Sequence, residues 1–391
     1  MKILKRDSGI IRESLGDLKL RRGSALIISG IRRCGKSTLL KQLLEKNKEF
    51  YYLNLEDPRL EEFELSDFNR VNELFESEYG SNGIYFFDEI QNVEKWEKFI
   101  RFLADDKKTI VITGSNASLL SRELGTRLTG RHISYELFPF SYSEFLKFYK
   151  LKQSINSYEK YFFEGGFPEF LEDKDDYYLN EILNSVVMRD IAVRYGIKNS
   201  DSLRKLAIYL ITNVGKEFSY NSLRKMLEIK SVRSVIDYVS YLEDSYLIFT
   251  VPKFSYSYRK QQVNPKKVYS IDNGLSYVNS VSFSKDKGKM LENNVFLELR
   301  RKYKEIFYFQ KDRECDFIVK DREKVVQAIQ VCYEFNDKTQ NREIKGLLEV
   351  MKELKLNEGL ILTYNQEDEF EIEDKKITLK PVWKWMTEDE K

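Results

Sequence analysis

The sequence predicts an α/β protein in four parts: an N-terminal α/β core over residues 1–135, a helical segment over 136–198, a helical module closed by a two-stranded ribbon over 199–275, and a second α/β domain over 276–391. Three observations point there. Before residue 135, short apolar runs such as ALIIS, IYFF and TIVIT alternate with leucines at helical spacing, the order of a sheet covered by helices. From Ile133 to about Arg194 the chain is helical and aromatic. After Lys287 the order is helix, three strands, helix and strand. At 391 residues the chain is too long for one ordinary core, so several domains are expected.

Composition narrows the function classes. Lys and Arg (65) nearly balance Asp and Glu (63), leaving a formal +2, so any case for nucleic acid must rest on local clusters. Cys34, Cys315 and Cys332 form no CxxC pair and His132 is the single histidine, which excludes a zinc site and a disulfide framework. The charged N-terminus has no apolar signal region, and no stretch of 18 apolar residues follows. A cytoplasmic protein with no membrane partner is expected.

In the first part, Ala25 to Ser29 reads as a buried strand running into GIRRCGKS and then TLLKQLLEK, whose leucines keep helical spacing. Strand, GxxxxGK[ST] loop and helix in that order make a P-loop. Gly30 and Gly35 let backbone N–H groups turn inward, and the helix N-terminus adds its positive end. Gly30, Ile31, Arg32, Arg33, Cys34, Gly35, Lys36, Ser37 and Thr38 are therefore the nucleotide-binding candidates. Lys36 would reach the β- and γ-phosphates, and Ser37 would ligate magnesium. The second motif, GIYFFDEIQ, is an apolar strand ending in two acids: Asp88 for the magnesium shell and Glu89 for the attacking water. Together the motifs predict ATP and Mg2+ as cofactors and ATP hydrolysis as the activity.

TIVITGSN gives a further strand, after which Ser115 or Asn116 would stand beside the γ-phosphate in the position where AAA+ ATPases sense it; a plain turn is the alternative. Arg127 and Arg131 follow in a Gly-punctuated stretch, and either would serve as an arginine finger, in cis or in trans. Asp57, in YYLNLEDPR, reads as a loop acid, and His132 as structural. Arg189 and Arg194 read as a solvated helix face rather than a second sensor. Gly165-Gly166 before Pro168 marks a bend between helices, in a segment expected to shape a lid.

GIRRCGKSTLL, YLNLEDPR, YFFDEIQ, ITGSN, ELFPFSYSEFL and GGFPEF, in that order, resemble a prokaryotic, largely archaeal, AAA+-type ATPase family with a conserved C-terminal domain of unknown function. The resemblance covers essentially the whole chain, PFSYSEF and GGFPEF being its more discriminating segments. It implies an AAA+-like core, a small helical lid and C-terminal modules associated with DNA; a ring or dimer is usual for such ATPases, and the sequence leaves open whether a homo-oligomer forms.

Between Ser200 and Asp272 three helical stretches precede two strand-like runs, LIFTVPKF and KKVYSID, around the polar hairpin SYSYRKQQVNP. That is the order of a winged helix. Lys230, Ser231, Arg233 and Ser234 would face a DNA groove at the start of the third helix. Lys253, Tyr256, Tyr258, Arg259 and Lys260 would form a basic, aromatic wing. A protein-interaction module is the rival reading.

The last part resembles the restriction-endonuclease-like fold, whose active enzymes carry Glu on a helix, Asp on a strand and acid-x-Lys on the next. Glu292 and Asp316 match, but Gln330 and Cys332 stand where acid and lysine are required. With no other lysine evidently placed to compensate, an inactive nuclease-like domain is expected. Glu314, Arg342 and Glu343 suggest a different polar site without a mechanism, and Trp383 and Trp385 read as packing residues of an edge strand. The expected function is an ATP-driven switch or motor on DNA, its rivals being a signalling ATPase with a protein partner and an ATP-regulated DNA nuclease.

Overall fold

The structure, a computed structural model, describes residues 8–116, 128, 130–280 and 286–388. It divides into two compact units: the described residues up to Phe138 together with Asp244–Tyr246, and the remainder from Pro139 onward.

The first unit is a parallel sheet. Strands β1 (Ser24–Ser29), β2 (Phe50–Asn54), β3 (Ile84–Asp88), β4 (Thr109–Gly114) and β5 (His132–Glu136) lie in the order β2-β3-β4-β1-β5. Helices α1 (Lys36–Glu45), α2 (Asp67–Tyr79) and α3 (Trp96–Asp105) connect them. β1 and β4 are almost wholly buried, as the unbroken apolar runs require of central parallel strands. Phe68 stacks on Phe99 at 4.5 Å between ring centroids, and Phe87 meets both rings edge-on. The register places Ser29 opposite Gly114 and Asn54 opposite Asp88, so the carboxyl ends of β1, β3 and β4 share one edge. In open α/β sheets that edge is where ligands bind.

The second unit opens with helices α4 (Tyr142–Tyr149), α5 (Ile155–Glu164), α6 (Pro168–Asp173) and α7 (Asp176–Ser185), the last running into a π-helical stretch, Val186–Val193. α4 begins with a capping box: Ser141 Oγ accepts the Glu144 amide at 3.0 Å, and the Glu144 carboxylate accepts the Ser141 amide at 3.0 Å. The SYSE portion of PFSYSEF is thus a helix-start signal. Gly165-Gly166 does form the expected bend, and the segment read as a lid belongs to this second unit. The Gly166 amide donates to Asp272 at 2.7 Å, and the Phe140 amide donates to the Gly166 carbonyl at 2.8 Å. A Cβ at Gly165 would lie 2.1 Å from the Asp272 carboxylate, so only glycine fits.

The middle of the unit runs α8 (Ser200–Thr212), β6 (Glu217–Phe218), α9 (Tyr220–Met226), α10 (Val232–Asp244), β7 (Ile248–Pro252), α11 (Tyr258–Val263), β8 (Lys266–Ser270) and α12 (Asn273–Val278). The sheet has three antiparallel strands, β6-β8-β7, rather than two, and the expected open hairpin contains the short helix α11. The segment after β7 is held against the next domain: the Phe254 amide donates to the Tyr308 carbonyl at 2.7 Å.

The chain ends in a mixed six-stranded sheet, β13-β14-β12-β11-β10-β9, with β9 Glu305–Gln310, β10 Glu314–Asp321, β11 Lys324–Cys332, β12 Glu358–Thr363, β13 Asp368–Ile372 and β14 Lys375–Pro381. Helices α13 (Lys287–Lys302) and α14 (Gln340–Glu353) accompany it. Trp383 and Trp385 lie not on an edge strand but on the short helix α15 (Val382–Trp385). Pro381 ends the sheet there because it has no N–H for a further ladder bond.

Candidate nucleotide site

The loop after β1 is shaped by its glycines. A Cβ at Gly30 would stand 2.2 Å from the Leu137 carbonyl oxygen, and Gly35 takes φ +99°. The non-glycine Arg33 also sits at positive φ, 64°. The Cys34 amide closes the turn on the Ile31 carbonyl, leaving the first amides of α1 as donors at the helix N-terminus. Lys36 is buried, and its ammonium donates to the Gly30 and Ile31 carbonyls, each at 3.1 Å. The loop is thus curled around the lysine that would meet phosphate. Arg32 pairs with Glu56 at 3.3 Å on the surface. Cys34 and Ile31 are wholly buried, and burial raises the Cys34 thiol.

Asp88, at the end of β3, is buried and accepts hydrogen bonds from Thr113 Oγ1 at 2.5 Å and the Tyr52 hydroxyl at 3.3 Å. Burial and then the neighbouring Glu89 raise its carboxyl above the usual range, while Thr113, Ser37 and Lys36 pull the other way. The Asp88 carboxyl and the Ser37 hydroxyl are therefore hydrogen-bonded neighbours. A hydroxyl and a carboxylate are a donor set that magnesium accepts alongside phosphate oxygens and water, so these residues fit the ion.

Glu89 takes φ +54°, unusual for a side chain with a Cβ, and this turns it off the strand. Its amide donates to Thr113 Oγ1 at 3.0 Å. One carboxylate oxygen accepts the Gln91 amide at 2.5 Å, and the other lies 3.8 Å from Lys36. Lys36, Ser37, Asp88 and Glu89 are thus drawn to one place. Ser115 and Asn116 are buried just beyond β4, with Ser115 Oγ 3.5 Å from the Gln91 amide. Thr113, Gln91 and Tyr52 carry no role in the motif reading. Only Thr113 leaves a sequence signal, as the polar residue that closes the apolar run TIVIT.

Arg131 does not join this site. It precedes β5, and its carbonyl accepts the Ala25 amide at the start of β1, while its guanidinium pairs with Asp105. Four residues of strand, about 13 Å, separate that end of the sheet from the P-loop, which rules out a finger in cis. Arg127 lies outside the described residues. Asp57 caps its own loop, accepting the Arg59 amide at 3.1 Å. His132 lies on β5.

In the second unit, Ser231 Oγ accepts the Ser234 amide at 3.0 Å, so this pair starts α10 as a cap. Arg233 pairs with Asp237 at 3.1 Å and is exposed, as is Lys230. Arg259 and Lys260 are exposed on α11, and Tyr256 and Tyr258 beside them are 83% and 74% exposed.

The nuclease-like positions converge on a cleft of about 800 Å³ lined by Glu292, Asp316, Gln330 and Glu343. The expectation that no lysine compensates for Cys332 is corrected. Lys267 of β8 is 1% exposed, and its ammonium lies 3.1 Å from Glu292, 3.0 Å from Asp316 and 2.6 Å from Glu314. Lys289 adds a second contact to Glu292 at 2.7 Å. Burial opposes the charge on Lys267, but Glu292 and Asp316 outweigh it and hold the ammonium protonated. The Gln330 amide donates to Glu343 at 2.5 Å, and its carbonyl accepts the Asp316 amide at 3.2 Å. Lys267 lies 25 and 49 residues before its partners, so no local motif reveals it. The ammonium takes the carboxylate oxygens that a metal would need, and among the described residues no group of three or more His, Cys, Asp or Glu is placed to hold one. The residues do not fit a nuclease metal.

Residues 22–146 match the AAA domain family, residues 155–284 a domain of unknown function, DUF8612, and residues 287–385 another, DUF4143. An AAA domain is a nucleotide-binding module. The chain is 36% identical to the uncharacterized protein MJ1544 of Methanocaldococcus jannaschii, covering 94% of this chain and 89% of that one. It is 30% identical to an uncharacterized protein of Haemophilus influenzae, covering 91% and 93%. No helix among the described residues is long and apolar enough to cross a membrane.

Proposed function

The chain, an AAA domain followed by DUF8612 and DUF4143 domains, belongs to one family with uncharacterized archaeal and bacterial proteins, and we propose that it is an ATP-hydrolysing switch that acts on DNA. The observation that carries the ATPase reading is the convergence of Lys36, Ser37, Asp88 and Glu89 at one sheet edge. The amides at the start of α1 bind the phosphates. Lys36 exchanges the Gly30 and Ile31 carbonyls for phosphate oxygens. Ser37 and Asp88 would hold magnesium, which would supply positive charge to offset that of the phosphates. Glu89, released from Lys36, takes a proton from the attacking water, and Gln91 and Thr113 orient it. Asn116 or Ser115 reads the γ-phosphate. A finger would come from another copy of the chain, which makes a homo-oligomer part of this reading.

The DNA reading rests on the order helix, strand, helix, helix, strand, strand from α8 to β8, which is that of a winged helix once the short helix α11 is taken as part of the connection between β7 and β8, and on the exposed Lys230, Arg233, Arg259 and Lys260. The C-terminal domain, with Lys267 among its carboxylates, serves as a non-cleaving module. The test is ATP turnover and DNA retention by wild type, Lys36→Ala and Glu89→Gln. Lys36→Ala should lose nucleotide binding. Glu89→Gln should bind ATP with kcat reduced about a hundredfold or more. DNA retention should fall steeply with salt and be weakened by Arg259→Ala with Lys260→Ala. Turnover indifferent to DNA, with no salt-sensitive retention, would discard the DNA reading in favour of a protein partner.

A further inference from the structure

Arg12 lies ahead of β1, outside every motif of the nucleotide site, yet it is only 3% exposed and touches the P-loop directly. Its Nη1 donates to the Cys34 carbonyl at 2.8 Å, and its Nη2 donates to the Phe138 carbonyl, just past β5, at 2.8 Å. The backbone around it is tied to α1: the Arg12 amide donates to Gln42, and the Gln42 side chain donates to the Ser8 and Ile10 carbonyls at 2.7 Å each. The guanidinium therefore bridges the last turn of the P-loop and the end of a neighbouring strand.

A trans peptide is planar, so its C=O and N–H point in opposite directions. Fixing the Cys34 carbonyl on Arg12 fixes the Gly35 N–H on the other side. Gly35 is the residue at φ +99°, a conformation in which this peptide could otherwise turn over at little cost. A Cβ there would lie 2.9 Å from Arg12 Nη1, so the glycine also makes room for the arginine. The Cys34 amide is already engaged by Ile31, which leaves the Gly35 amide as the first donor at the head of α1.

We propose that Arg12 is a positioning residue for the P-loop, holding the Cys34–Gly35 peptide so that the Gly35 amide faces the phosphates. This rests on the nucleotide reading of the loop. A peptide free to rotate would present a carbonyl to an anion for part of the time, and phosphate affinity would fall in proportion. The arginine acts through the Cys34–Gly35 peptide of the P-loop, so the loss should follow the phosphate chain and not the base.

The experiment measures binding of ATP, ADP and AMP to wild type, Arg12→Ala, Arg12→Lys and Gln42→Ala, with thermal unfolding of each. Arg12→Ala should weaken ATP and ADP about tenfold or more while changing AMP little. Its KM for ATP should rise more than its kcat falls. Arg12→Lys, which can reach one carbonyl but not bridge two, should recover part of the affinity. Gln42→Ala controls for loosening of the N-terminal segment alone and should lower the unfolding temperature without the phosphate-selective loss. Equal weakening of ATP, ADP and AMP by Arg12→Ala, or an unchanged ATP affinity, overturns the proposal. Failure of wild type to bind ATP would instead overturn the nucleotide reading itself.

Discussion

In the proposed reading, Asp88 sets stability against magnesium binding within one carboxyl group. Burial and Glu89 raise it above the ordinary value, so without a cation its charged form costs stability at neutral pH. The sign follows: its stabilising contribution is complete below the unfolded carboxylate range, near pH 4, and is lost as pH rises through the raised folded value. Asp88→Asn keeps an oxygen for Thr113 and removes the charge. Thermal unfolding without nucleotide should show this variant as stable as wild type or more so at pH 7. Calorimetry should show its binding of magnesium with ATP sharply weakened. Glu89 differs, because its positive φ and its contact with Gln91 aim it without burying it fully.

At the scale of elements, two buried ionic junctions hold the second unit. Asp272 accepts the amides of Gly166 at 2.7 Å and Leu275 at 2.9 Å, joining the bend before α6 to the start of α12. Burial nonetheless raises its carboxyl to about 6. Its contribution is therefore full below about pH 4 and declines as pH rises through about 6. Asp272→Asn would set an NH2 against one of those amides, at a cost of about 1–3 kcal/mol at pH 7. Denaturant unfolding across pH 4–7 should show that loss, along with a smaller pH dependence than wild type. The second junction is Lys267 with Glu292 and Asp316. Lys267→Met strands two buried carboxylates and should cost about 3–5 kcal/mol. Adding Glu292→Gln and Asp316→Asn should recover most of it, since the charges then vanish together. Wild type should cleave no DNA with Mg2+ or Mn2+, and cleavage abolished by Asp316→Ala would show that the ammonium yields its place to a metal.

The whole molecule is two compact units, and the nucleotide residues lie in the first. A chain of this kind need not unfold in one step. Calorimetry should resolve more than one transition, and ATP with magnesium should move the one belonging to the first unit. At a hundred times Kd the added stability is about 2.7 kcal/mol. Lys36→Ala should leave the transitions in place and abolish the shift. A nucleotide-dependent shift that survives Lys36→Ala would place the binding elsewhere.

Much of this was readable in advance, and the reason is local. GIRRCGKS, the apolar strand before it and the paired acids of FFDEIQ are short segments whose backbone demands are written in adjacent residues, so the P-loop, its helix and the end of β3 follow from the sequence alone. The capping box of PFSYSEF is legible for the same reason. What the sequence could not supply are contacts between distant segments. Arg131 looks like a finger until the register of β5 against β1 puts it at the wrong end of the sheet. Lys267 looks like one charge among many until β8 brings it against α13 and β10. Arg12 looks like a surface arginine until its burial beneath the P-loop is seen. The sequence by itself determined the α/β order and the strand, glycine loop and helix of the P-loop. Tertiary structure decided which charges stand together, because a buried charge's partner is chosen by packing and burial, to which sequence separation is no guide.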